Sequence, residues 1–173
     1  MLGNYANFPN MIHGLLSFTH RASSRKIQQA VATTFHCLNQ EVFRLKDISY
    51  SFPANCEVIF EFGIGEDVSF AFLDKTELNK LMTEIENKTL TTLDFFCALQ
   101  YHVLDSGKHT PLKFDYYFLR FSFAPNFVHF SVFHERGPRR VHVRDLMHFL
   151  IKLVKTKLND QYSIALELAT RTV

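Results

Sequence analysis

Residues Phe114–Leu158, FDYYFLRFSFAPNFVHFSVFHERGPRRVHVRDLMHFLIKLVKTKL, combine two Phe-rich runs, a short turn, a basic segment and an amphipathic run. Leu119, Phe121 and Phe123 alternate with Phe118, Arg120 and Ser122; Val128, Phe130 and Val132 alternate with Phe127, His129, Ser131 and Phe133. A period of two places each set on one face of a pleated strand. Ala124-Pro125-Asn126 has the residue types of a tight turn. Beyond His142, the residues Val143, Leu146, Met147, Leu150, Leu153 and Val154 recur at helical spacing, which predicts a helix with its apolar stripe on a core.

The same plan is readable earlier, in Glu57–Glu86 (EVIFEFGIGEDVSFAFLDKTELNKLMTEIE). Val58, Phe60 and Phe62 alternate, as do Val68, Phe70 and Phe72, and Gly63-Ile64-Gly65 suits the turn between them. Asp74 followed three residues later by Glu77 is a capping-box spacing that opens a helix. Aligned without gaps, Leu78, Leu81, Met82 and Ile85 of this helix fall on Leu146, Phe149, Leu150 and Leu153 of the later one. A helix is expected before each copy, over Ser24–Asn39 and Thr91–Leu104.

The expected fold class is therefore α+β: an antiparallel, Phe-rich sheet with helices on one face, built as two pseudo-symmetric α-β-β-(β)-α repeats. Residues 1–173 are read as one domain, with repeats over about 21–88 and 89–160, an N-terminal lid and a short C-terminal helix or frayed end. Met11–His20 reads as an edge strand or part of that lid. Val42–Phe52 reads as a strand turned by Pro53-Ala54-Asn55, and Asp105–Pro111 as a loop.

Among 173 residues there are 19 Phe and no Trp, enough apolar material for a sizeable core. No run approaches the roughly 20 apolar residues of a membrane span, and Met1–Phe18 has no basic leader, so neither a membrane protein nor a signal peptide is expected. Three widely spaced cysteines, Cys37, Cys56 and Cys97, fit a reduced, cytoplasmic setting.

Net charge is only +2, but it is unevenly placed. Glu57–Glu86 carries eight acids against two lysines, whereas His134–Lys157 carries seven Arg or Lys against Glu135 and Asp145. The later copy also has an insertion, His134–Val141, where the earlier one passes from Leu73 directly to Asp74. Insertions on a common scaffold often carry its chemistry. Arg120, His129, Arg136, Arg139, Arg140, Arg144, His148 and Lys152 are accordingly the candidate anion-binding residues. Guanidinium forks suit phosphate oxygens, and the aromatic residues Tyr116, Tyr117, Phe127 and Phe133 could stack bases of a single-stranded nucleic acid.

Familiar catalytic signatures are absent: there is no GxSxG, HExxH or CxxC. Asp105-Ser106-Gly107-Lys108-His109-Thr110 resembles the end of a phosphate-binding loop, but the required earlier Gly is replaced by His102. No metal site, cofactor or catalytic set is expected. The leading expectation is a non-catalytic module for an anionic partner, either single-stranded nucleic acid or an acidic protein surface. The alternatives are a small enzyme using His36, His102 or His129 in a cleft between repeats, and a homo-oligomer subunit joined through acidic and basic copies.

Overall fold

A computed structural model describes residues 1–49, 55–162 and 164–172. The fold is α+β, with a nine-stranded antiparallel sheet and three helices packed on one face. In chain order the elements are β1 (Gly14–Thr19), α1 (Ser24–Leu38), β2 (Val42–Arg44), β3 (Cys56–Glu66), β4 (Ser69–Phe72) and α2 (Lys75–Asn87). They continue with β5 (Thr92–Asp105), β6 (Lys108–Pro111), β7 (Asp115–Ala124), β8 (Phe127–Arg136), α3 (Val143–Tyr162) and β9 (Glu167–Thr172). The strands run β2-β3-β5-β7-β8-β1-β9 across the sheet, with β4 added to β3 and β6 to β5.

The strands at the heart of the opening stretch behave as their alternation predicts. Leu119 pairs with Val132 and Phe121 with Phe130, and all four are buried under the helices. Pro125-Asn126 forms the turn, with Asn126 at φ 61°. The core on the helix side contains a cluster of stacked aromatic rings. Phe35 of α1 stacks on Phe62 at 4.5 Å and meets Phe95 edge-on at 4.8 Å, while Phe121 and Phe130 stack at 4.4 Å. Burying each such ring contributes roughly 1.5–3 kcal/mol. Ile27, Val31 and Phe35 of α1, Leu81 and Ile85 of α2, and Leu146, Leu150 and Val154 of α3 complete this layer. Asp74 caps α2 as its spacing predicts, accepting from the Glu77 amide, and Ser23 caps α1 by accepting from the Lys26 amide.

The two-repeat plan fails at the helix expected over Thr91–Leu104, which is strand β5. This strand lies between β3 and β7. Its odd positions, Leu93, Phe95, Cys97, Leu99, Tyr101 and Val103, are all apolar, but Phe96, Ala98 and Leu104 at even positions dilute the period-two signature. The spacing of Leu93, Phe96, Cys97 and Leu104 imitates a helical stripe by coincidence. The two halves share only a hairpin followed by a helix.

A second correction concerns the first hairpin. Its turn is Asp67-Val68, with Asp67 at φ 55°, not Gly63-Ile64-Gly65. The glycines lie inside β3 opposite Phe72 and Phe70. Moving the turn changes which face β4 presents. Leu73 is buried beneath the helices, whereas Phe70 lies on the opposite face and Phe72 is half exposed.

The termini also differ from expectation. Gly14–Thr19 is an internal strand, flanked by β8 and β9, and the C-terminal segment is strand β9 rather than a helix. Asp105–Pro111 is a hairpin, closed by Ser106-Gly107 with both residues at positive φ, and continues as β6. Among the described residues of the strand expected over Val42–Phe52, Val42–Arg44 is strand and is followed by a single 3-10 turn at Leu45–Asp47. Residues 50–54, with part of that strand and its Pro53-Ala54 turn, lie outside the described residues.

Residues 1–8 pack on the sheet face away from the helices. The Gly3 amide donates to Gly65 O at 2.7 Å, and the Asp94 amide donates to Gly3 O at 2.8 Å. Tyr5 packs on Phe70 and Phe118 at 4.5 and 5.4 Å. Gly65 is needed for this approach, because a Cβ there would sit 3.1 Å from backbone atoms of Asn4 and Tyr5 and 3.2 Å from Asp94 O. Gly65→Ala is expected to loosen residues 1–8 and to destabilise the fold by about 1–3 kcal/mol, the usual cost of overpacking. Denaturant unfolding checks the magnitude, and hydrogen exchange at Gly3 and Tyr5 checks the location.

Candidate functional site

The basic insertion is built around one buried carboxylate. Asp115, the first residue of β7, is fully buried and accepts four hydrogen bonds. Tyr101 Oη donates to Oδ2 at 2.7 Å and His134 Nε2 to Oδ1 at 2.9 Å. The backbone amides of Arg139 and Arg140 donate at 2.7 and 2.9 Å. Both carboxylate oxygens are thereby satisfied, which is the condition for a buried charge to persist. The chain can wrap the carboxylate because Gly137 takes φ 113°; a Cβ there would collide with Phe114 O and Asp115 Oδ1. Arg139 follows at φ 55°. Tyr117, also buried, donates its hydroxyl to Val141 O at 3.2 Å and holds the far side of the loop. Burial drives the hydroxyls of Tyr101 and Tyr117 far above the ordinary tyrosine range, so both remain protonated donors.

The loop passes directly into α3, and a pocket of about 410 Å³ opens between them and β1. Its polar wall includes His13, Arg139, His142, Arg144 and His148, and its apolar floor includes Leu16, Val141, Val143 and Met147. Arg139, His142 and Arg144 are exposed at the mouth. Asp145, the acid in the first turn of α3, accepts from Ser49 Oγ at 2.8 Å and does not line the pocket. A second depression, about 320 Å³, shares His148 and continues along α3 past Ile151, Lys152, Lys155 and Phe18. Gly14 permits the close packing of α3 on β1, since a Cβ there would press on Met147 and Val143.

The eight candidate anion-binding residues divide between the two sides of the sheet. Arg139, Arg144 and His148 line the first pocket, and Lys152 with His148 lines the second. Arg140 lies beside Tyr101, its guanidinium 5.9 Å from the ring centroid. The other three lie on the opposite face. Arg120 grips buried Asp94 through two hydrogen bonds of 2.7 Å, reaches Tyr5 O, and lies 4.2 Å over the Phe8 ring. It is an internal tether for residues 1–8. Arg136 stacks 4.4 Å above Tyr116, and His129 Nδ1 is 2.7 Å from Ser17 Oγ. An aromatic cluster of Phe70, Phe96, Tyr116, Phe118 and Phe133 does occupy that outer face. Tyr5, Phe8 and His13 pack against it, and Phe70, Phe96, Phe118 and Phe133 are left half-buried. The aromatic and basic features therefore do not form the single surface expected from the sequence.

His13 was missing from the candidates. Its only sequence signal was a position in an irregular apolar segment, while the contacts that matter come from residues 121 and 126 positions away. The histidines of the enzyme alternative are dispersed. His36 is in the last turn of α1 on the helix side. His102 lies on β5 near His109, and His129 on β8, with β7 between those strands. Among the described residues no group of three or more His, Cys, Asp or Glu could hold a metal, and no helix is long and apolar enough to cross a membrane.

No protein-family model, curated protein or solved structure matches the chain.

The dependence of the loop on Asp115 predicts a measurable cost. Tyr101→Phe removes one of four donors to a buried carboxylate and is expected to destabilise the fold by about 1–3 kcal/mol. The lost protection should appear first at the Arg139 and Arg140 amides in hydrogen exchange.

Proposed function

We propose that this chain is a non-catalytic binding module for an anionic partner, held at the pocket between β1, the Gly137–His142 loop and α3. The observation that carries the reading is the convergence of Arg139, His142 and Arg144 with His13 and His148 on one pocket. No carboxylate is among the residues lining it. The loop that presents Arg139 is held from beneath by Asp115, so its geometry is set before a ligand arrives. Preorganisation of this kind lowers the ordering cost of binding. The adjacent amides at the start of α3 add to the positive potential.

Binding is favoured over catalysis because His36, His102 and His129 do not share a cleft. It is favoured over acidic-to-basic self-assembly because part of the acidic charge on α2 is already neutralised. Lys80 pairs with Glu77 at 2.9 Å, and Lys88 pairs with Glu84 at 2.8 Å.

The test is an amide-shift NMR titration at low salt with four anions: pyrophosphate, polyglutamate, a short oligothymidylate and decanoate. At least one is expected to saturate with shifts concentrated in residues 139–148. Arg139→Met with Arg144→Gln is expected to weaken that binding at least tenfold, about 1.4 kcal/mol. Four flat titrations, or affinity indifferent to the double substitution, would overturn the reading.

A further inference from the structure

We propose that the pocket takes a small amphiphilic anion, its head oxygen held jointly by His13 Nε2 and Arg139 Nη2 and its apolar body lying along α3. The inference rests on the anion-binding reading above and names the class of ligand.

The hydrogen-bond chain behind the pocket fixes the proton positions. Asp115 Oδ1 accepts from His134 Nε2 at 2.9 Å, so that nitrogen carries the proton. His134 Nδ1 then accepts from Arg139 Nε at 3.2 Å, as a neutral imidazole can. The backbone amide of His134 donates to His13 Nδ1 at 2.8 Å. With Nδ1 accepting, the remaining proton of a neutral His13 must be on Nε2. That atom lies 3.1 Å from Arg139 Nη2, which is always a donor. Two N–H donors therefore confront each other at the rim of the pocket without an acceptor between them. An anionic oxygen beside both would satisfy the two together and make charge-assisted bonds.

His13 is restrained in this position. Its ring stacks on Phe133 at 4.7 Å, while Arg139 is tethered through its own backbone amide to Asp115. Desolvation, followed by the nearby Arg139 guanidinium, lowers the His13 pKa, in keeping with a neutral ring. The charged or titratable groups around it are Arg139 and His134, with Asp115 behind His134 and His142, Arg144 and His148 across the pocket.

The rest of the pocket argues against a purely polar ligand. Leu16, Val141, Val143 and Met147 line its floor, and Phe18, Ile151 and Leu168 line the depression that shares His148. From Val143 to Thr156 the helix spans about 20 Å at 1.5 Å per residue. A flexible Met beside an apolar floor adapts to an unbranched chain. A bare phosphate or a nucleic-acid backbone would leave this apolar wall unused.

The experiment compares decanoate below its micellar concentration with decyl phosphate, acetate and decanol, read by NMR and calorimetry on the full chain. Decanoate or decyl phosphate is expected to bind at least tenfold tighter than acetate and than decanol, and the tighter of the two identifies the head group. His13→Phe, which keeps a ring to stack on Phe133, and Arg139→Met, which keeps the backbone amide on Asp115, are each expected to weaken binding at least tenfold. Thermal unfolding of both variants verifies that the fold is intact. The bound anion should also move the His13 titration upward by about one pH unit, since an adjacent negative charge favours the protonated ring. Binding of pyrophosphate, polyglutamate or oligothymidylate without tighter binding of either amphiphile would overturn this inference and leave the anion reading standing. Silence from every anion would overturn both. An amphiphile that binds without moving the His13 titration would overturn the assignment of the head group to His13 and Arg139.

Discussion

The Asp115 carboxylate is the constraint from which the basic end of the molecule follows. It is buried at the start of a central strand and cannot be left without donors, since an unsatisfied charge in such a place costs several kcal/mol. Two of its four donors are the amides of Arg139 and Arg140, so satisfying the carboxylate also folds the loop. A third, His134, passes the constraint outward through its other nitrogen to Arg139. Loop path, imidazole tautomers and the direction of the Arg139 guanidinium thus derive from one group. Gly137 is the conformational requirement, because no side chain fits where the loop crosses the carboxylate.

The two faces of the sheet divide the work. The helix side is packed with Phe, Leu, Ile and Val and gives the fold its stability. The opposite side is a half-covered aromatic layer, crossed by the N-terminal residues and fastened by Arg120 on Asp94. That ion pair engages the Arg120 guanidinium within the molecule. The pocket forms at the end of the sheet, where the His13–Gly14 junction, the Gly137–His142 loop and α3 come together.

Much of this was legible beforehand. The β7–β8 hairpin, α3, the cap of α2, and the inward-facing residues of β7 and β8 follow from strong periodicity and local chemistry. Strand β5 was not legible because Phe96, Ala98 and Leu104 dilute its alternation, while Leu93, Phe96, Cys97 and Leu104 also fit a helical stripe. The first hairpin was misplaced because Gly63-Ile64-Gly65 matches turn chemistry, while Gly65 serves the approach of Asn4 and Tyr5, far away in sequence. The pocket was half visible. Arg139, Arg144 and His148 stand out by charge, but nothing local marks Asp115 or His13, whose importance comes from partners brought together by the fold.

The position of β1 has a kinetic consequence. Gly14 pairs with Val132, and Leu15 with Thr172, so an early strand has neighbours that emerge from the ribosome only much later. Closing such long loops is entropically slow. During synthesis this segment has no β8 or β9 to pair with, so the His13 side of the pocket cannot form before those strands are made.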